Sequence, residues 1–199
     1  MKKFLVVLLA LAGIGAVVIM WAVSVRNNLV TLEEGVKEKW SQVENVYQRR
    51  LDLIPNLVNT VKGYAAHERE TLEGVIEARA KATQISGEAM KNIINDPQAF
   101  QKFQESQSAL SSALSRLMVV VERYPDLKAN QNFLELQSQL EGTENRIAVE
   151  RKRYNEAAKE FNVTVRKFPT AMIASLFGFK EKAYFQADAA ASKAPEVKF

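Results

Sequence analysis

QRRLDLIPNLVNTVKGYAAHE, residues 48–68, holds two adjacent arginines, an aspartate, a proline near its middle and the chain's only histidine. Two readings compete. Either this is a site where chemistry happens, or it is one length of a long helix that the polar residues shape and pin. Periodicity decides for the helix. Counting alternate steps of four and three from Val36 gives Trp40, Val43, Tyr47, Arg50, Ile54, Leu57, Val61, Tyr64, Glu68, Thr71, Val75, Ala78, Ala82 and Ile85, most of them apolar. Such a seam is the buried stripe of a helix packed against others.

Two further seams follow the first. One runs Phe103, Gln107, Leu110, Leu114, Leu117, Val121, Tyr124 and stops at Pro125. The other runs Phe133, Gln137, Leu140, Glu144, Ile147, Arg151, Tyr154, Ala158, Phe161, Val165, Phe168 and stops at Pro169. Asn95-Asp96-Pro97 marks a helix start, with Asp96 as the cap and Pro97 at the first helical position. Only 8 glycines and 5 prolines punctuate the 199 residues, and nothing alternates as a strand would. The predicted class is all-α: an N-terminal transmembrane helix followed by an antiparallel bundle of long helices joined by short turns.

The helix count depends on Pro55. A proline inside a helix removes one backbone donor and clashes with the preceding turn. The seam keeps its register from Tyr47 to Val61, which predicts a kink and three long helices. A break at Pro55 would instead make four. Ser86-Gly87 weakens the far end of the first seam.

Residues 4–25 form 22 positions without a charge, about 33 Å as helix and enough to cross a hydrocarbon core. Trp21 suits the far interface. The competing reading is a cleaved signal peptide, since Ala10-Leu11-Ala12 resembles a small-residue cleavage site. Cleavage there would leave Gly13 to Val25 as an apolar new terminus, which favours an uncleaved anchor. Lys2 and Lys3 precede the span, whereas Arg26 stands alone after it, with Glu33 and Glu34 ahead of Lys37. The positive-inside rule then places the N-terminus in the cytoplasm and the bundle outside.

The expected organisation is a cytoplasmic tip (1–3), the anchor (4–25), a juxtamembrane linker (26–30), the bundle (31–179) and a C-terminal tail (180–199). Thr31-Leu-Glu-Glu34 has capping-box spacing and is read as the start of the bundle. Residues 170–179 are apolar and are expected as a short helix covering one end; a membrane-surface contact is the less favoured alternative, because the segment has no basic face of its own. The Ala-rich stretch from about 187 is expected to be disordered.

Composition excludes several functions. There is no cysteine, hence no disulfide, thiolate metal site or cysteine nucleophile. Net charge is +4; setting aside Lys2 and Lys3 leaves 25 basic against 23 acidic side chains, both signs interspersed. That balance gives no footprint for nucleic acid. The basic run at Arg151-Lys-Arg153 reads as a solvated helix face. His67 and Glu70 share a face, but a dimetal bundle needs two Glu-x-x-His units and a zinc hydrolase typically shows a second histidine. Serines gather at 106, 108, 111 and 112 with no base assigned to them, and no glycine-rich phosphate loop occurs. No enzyme, metal or cofactor is implied.

The polar positions within the seams carry more information. Arg50, Glu68, Glu144 and Arg151 fall where apolar groups belong, so each must pair or face water. The expectation is that at least one of Arg49, Arg50 and Arg151 pairs across helices with Glu68, Glu122, Glu144 or Glu150. Otherwise the seam shifts by one residue and these charges are exposed.

Several motifs now stand together: Gln48 through Val58 with Asp52 and Pro55, Gly63-Tyr-Ala-Ala-His-Glu68, Ala78-Arg-Ala80 and Val120-Val-Glu-Arg-Tyr-Pro-Asp-Leu-Lys-Ala-Asn130. Glu144-Asn145, Arg151 through Tyr154-Asn155, Phe161-Asn162, Phe168-Pro169 and Phe177-Gly-Phe179 complete the set. Together they resemble the LemA family of bacterial membrane proteins over most of the chain. The resemblance implies a single-pass anchor in the bacterial cytoplasmic membrane, a helical bundle and no established catalytic activity. Arg49, Arg50, Asp52, Pro55, His67, Glu68, Glu122, Tyr124, Pro125, Glu144, Arg151, Tyr154, Phe168 and Pro169 are the structural and interaction candidates. The expected function is a non-enzymatic scaffold or adaptor that contacts other membrane or envelope proteins, or copies of itself. The alternative is a lipid-binding or membrane-remodelling protein.

Overall fold

The computed structural model describes residues 2–85 and 93–186. Helix α1 (Lys2–Tyr64) carries the apolar span and continues into the bundle without interruption. Then come α2 (Arg69–Gln84), a 3-10 turn (Ile93–Asn95), α3 (Pro97–Val121), α4 (Pro125–Lys128), α5 (Gln131–Arg166) and α6 (Thr170–Leu176). No strand occurs among the described residues. Helix α1 pairs mainly with α5, and α2 with α3. The chain thus runs out along α1, back along α2, out along α3 and back along α5.

The juxtamembrane linker expected at 26–30 is helix. Nothing there breaks a helix, and Leu29 is fully buried in the bundle core. Thr31 is therefore not a cap; its Oγ1 donates back to the Asn27 carbonyl at 3.1 Å, as a mid-helix threonine does. The same Thr-x-x-Glu spacing serves inside a helix as well as at its start.

Helix α1 passes through Pro55, and the first long helix ends instead at residues 65–68. The carbonyl that the proline leaves without its helical donor is that of Leu51. Arg79 Nε, from α2, donates to it at 2.9 Å. The register of the seam survives because a side chain from the returning helix replaces the missing bond. Folding back at 65–68 also lets Val58 and Val61 share one apolar cluster with Leu72 and Val75. A straight helix would hold those pairs several turns apart.

Asp96 caps α3, accepting from the Gln98 and Ala99 amides at 2.9 and 3.1 Å. Asn130 caps α5 through the Phe133 amide at 3.0 Å. Ser86-Gly87 and the tail from 187 lie outside the described residues.

The boundary expected after Phe179 is not a structural one. Gly178, at φ 74°, turns the chain out of α6. Residues 179–186 then run as an extended strap along α5. Asn162 donates to the Lys182 carbonyl at 2.8 Å and accepts from its amide at 2.7 Å. Asn155 does the same with Phe185, at 3.0 and 2.9 Å. Seven helical residues span about 10 Å, and three extended residues span about 10 Å, so the two asparagines match the strap's repeat. Lys182 is buried and donates to Glu33 and Asn95, both at 2.6 Å.

Phe185 enters an aromatic cluster near the membrane end. It stands 4.8 Å from Phe100, 5.6 Å from Tyr154 and 6.0 Å from Trp40, centroid to centroid. Such pairs add about 0.5–1.5 kcal/mol each beyond area burial. A second cluster, largely aliphatic, fills the far end with Ile54, Leu57, Leu110, Leu117, Leu127 and Phe133.

Candidate functional site

Between the two clusters lies a polar layer. Helix α1 brings Arg50 to it, one turn from Tyr47 on the near side and Ile54 on the far side. The side chain is 1% exposed. Its Nη1 donates to Glu144 Oε1 at 2.8 Å and to Ser111 Oγ at 2.9 Å. Its Nη2 donates to the Gln107 side-chain oxygen and lies 3.4 Å from the Gln107 carbonyl. The guanidinium carbon sits 5.1 Å from the Tyr47 ring centroid. A single residue of α1 thereby grips α3 and α5 at once. Burying a guanidinium requires this many acceptors, because an unmatched charge in the core is very costly.

Helices α3 and α5 stand apart beside this layer. A groove of about 500 Å³ opens between them, lined by Ser111, Leu114, Met118, Leu140, Glu144 and Asn145. Glu144 lies at its inner edge with 40% of its side chain exposed.

The other candidates fall in two further places. At the far turn Glu68 accepts from Arg123 Nη2 and from the Tyr124 hydroxyl, both at 3.0 Å. That bond to a carboxylate holds the Tyr124 pKa above its usual value. Pro125 opens α4, and Glu122 pairs with Lys128 at 2.6 Å across it. Near the membrane end Arg151 donates to the Gln186 carbonyl at 2.9 Å, with its guanidinium 4.7 Å from the Phe185 ring centroid. The Tyr154 hydroxyl donates to the Ala183 carbonyl at 2.9 Å. Burial pushes that phenol's pKa well up, so it stays a neutral donor.

The rest are on the surface. Arg49 is exposed, and exposed Asp52 accepts from Gln48 Nε2 at 2.8 Å. His67 is exposed in the far turn, away from the polar layer. Phe168, counted in the third seam, is 83% exposed, because α5 ends at Arg166 and the count no longer applies beyond it. Pro169 is exposed beside it and immediately precedes α6, with no side-chain capping bond. Among the described residues no three His, Cys, Asp or Glu side chains gather as a metal site.

Sequence reasoning missed Arg79, Asn155, Asn162, Lys182 and Phe185 as tertiary contacts. The two asparagines, seven apart on one helix, were the available signal. Gln107 was legible as a polar member of its seam.

The LemA family model matches residues 39–199. The chain is 28% identical to the magnetosome protein MamQ 2 of Paramagnetospirillum magneticum over 174 residues, covering 80% of this chain and 64% of that protein. MamQ of Magnetospirillum gryphiswaldense is 27% identical over 173 residues, with the same coverage of both chains. The chain therefore spans a little under two thirds of these relatives' length. Protein LemA of Metamycoplasma hominis is 25% identical over 186 residues, 94% of this chain and 80% of that one. Bundle, apolar N-terminal helix and a family match over most of the sequence agree, and the chain belongs to the LemA family.

Proposed function

We propose that this protein is a non-enzymatic scaffold or adaptor. It is anchored in the bacterial cytoplasmic membrane by residues 4–25, and its bundle lies outside the cytoplasm, where it contacts other membrane or envelope proteins. The observation that carries this reading is the continuity of α1. One helix of 63 residues joins the span to the bundle with no flexible joint between them. A tethered enzyme gains nothing from such a rod. A scaffold does, because the rod fixes the height and direction at which its exposed faces meet a neighbour. The Arg50 layer supports the same reading by locking helix order across α1, α3 and α5.

In-cell crosslinking of the full-length protein, with identification of everything joined to it, tests this. One recurrent heterologous membrane protein supports the adaptor. Self-crosslinks alone support a homo-oligomeric scaffold. The absence of any crosslink from probes spread over α2, α3 and α5 overturns both. Orientation is tested separately. A cysteine replacing the exposed Ser138 reacts with membrane-impermeant maleimide in spheroplasts if the bundle lies outside, and stays protected if it does not.

A further inference from the structure

Helix α6 has an apolar face that no other described residue covers. Ala174 is buried against the bundle, while Met172 and Leu176 are 65% and 76% exposed. These two are four residues apart and share a face; Ala174, two residues from each, points the other way. Phe168 and Phe177 flank the helix, 83% and 49% exposed. Four large exposed apolar groups on so short a segment call for a covering surface.

The position of the segment says what that surface is. Helix α6 packs against α1, and the Arg26 guanidinium carbon lies 5.3 Å from the Phe177 ring centroid. Arg26 is the first charged residue after the apolar span. The headgroup layer on each side of the hydrocarbon core is about 5–8 Å thick, close to one helical turn. A group in contact with Arg26 therefore stands at the boundary of the bilayer from which α1 emerges. Exposed Lys167 and Lys180, on either side of α6, sit where lysines suit anionic headgroups.

We propose that α6, with Phe168 and Phe177, is a second membrane contact. Its outer face seats in the headgroup–acyl boundary of the leaflet that α1 leaves. The protein then meets the bilayer at two points rather than one, and the bundle is held at a fixed tilt instead of swivelling about its anchor. Because the Asn155 and Asn162 strap begins immediately after α6, the lipid contact is also coupled to the closure of the near core.

This inference rests on residues 4–25 lying in the bilayer, and the experiment separates the two. The cysteine-free full-length chain is reconstituted in phosphatidylethanolamine–phosphatidylglycerol vesicles with one bimane-labelled cysteine at Met172, Leu176, Ile14 or Ser138. Quenching by lipids carrying a nitroxide near the headgroup is read against quenching by aqueous iodide. Labels at Met172 and Leu176 should lose about twofold or more of their emission to the lipid quencher and be shielded from iodide, as a shallow interfacial site is. The Ser138 label should behave in the opposite way.

Labels at 172 and 176 that respond to iodide as Ser138 does overturn the proposal. Labels shielded from iodide yet unquenched by lipid overturn it too, since a protein surface would then cover the face. A label at Ile14 that lipid with its nitroxide near the acyl-chain end fails to quench sinks the anchor itself, since that residue lies about 15 Å below the headgroups. Labelling at exposed sites should leave thermal melting unchanged; if a label at Met172 or Leu176 lowers it, Ser175, exposed beside them, supplies the replacement position.

Discussion

Arg50 and Glu144 differ in how much water they see, and that difference orders the effects of changing them. Arg50 is closed in; Glu144 keeps 40% of its side chain in the groove. Replacing Glu144 by glutamine leaves a buried cation with neutral acceptors only, and stability should fall by about 1–3 kcal/mol. The half-exposed partner puts the lower half of that range first. A double-mutant cycle with Arg50→Met should show coupling of about 0.5 kcal/mol or more in denaturation of the full-length protein; additivity of the two changes would dissolve the pair as a stabilising unit. Both members were readable as charges in an apolar count. The count also placed Arg50, not Arg49, on the inward face; which acid among Glu68, Glu122, Glu144 and Glu150 meets it was not readable, because that depends on how the helices pair. A second residue titrates against its surroundings. Glu44 accepts from Trp40 Nε1 at 2.8 Å, yet partial burial outweighs that bond and raises its pKa. A carboxyl whose folded pKa is raised binds its proton more tightly folded than unfolded. Its contribution is favourable at low pH and is lost as pH rises through the folded pKa. Glu44→Gln should therefore be more stable than the parent at pH 7, with the advantage shrinking as pH falls through the raised folded pKa and gone below the ordinary carboxylate value. A difference between the two proteins that does not change with pH would refute the assignment.

Helix α1 shows what local sequence does and does not encode about an element. Its seam from Val36 to Val61 was legible, as were the Asp96 cap and the three helix ends marked near Gln84, Val121 and Arg166. The passage through Pro55 was legible only as preserved register. Its cause lies 28 residues on, where Arg79 meets the Leu51 carbonyl. The turn at 65–68 was hidden for a related reason: alternate steps of four and three run through it unbroken, and only burial of Leu72 and Val75 against Val61 favours the fold-back. If Arg79 stands in for the bond that proline forfeits, the two residues must be coupled. Arg79→Ala should cost about 1 kcal/mol in the parent chain. It should cost at least ~0.5 kcal/mol less in a Pro55→Ala background, where the residue 55 amide reclaims the carbonyl. Equal costs in both backgrounds would show that Arg79 serves only its own helix.

The molecule's two cores are built differently, and the near one depends on chain that reads as a tail. Lys180-Glu-Lys182 has the composition of a solvated end, and nothing within a few residues of Lys182 explains its burial. Its partners Glu33 and Asn95 lie 149 and 87 residues away. A window of sequence sees the charge and misses the acceptors, so the strap could not be read from local pattern. The consequence concerns the whole fold. Asn155, Asn162, Tyr154 and Arg151 all spend side-chain hydrogen bonds on the strap. Phe185 then completes the ring cluster around Trp40. Phe185→Ala should destabilise the protein by about 3–5 kcal/mol, the range for emptying a buried aromatic site. The loss should be uneven. Hydrogen exchange should accelerate first in the Trp40 and Tyr154 turns of α1 and α5, while the Leu57 and Leu110 turns beyond the Arg50 layer keep their protection. Uniform acceleration on both sides of Arg50 would mean that the polar layer transmits unfolding rather than dividing it, and that the two clusters are one cooperative core.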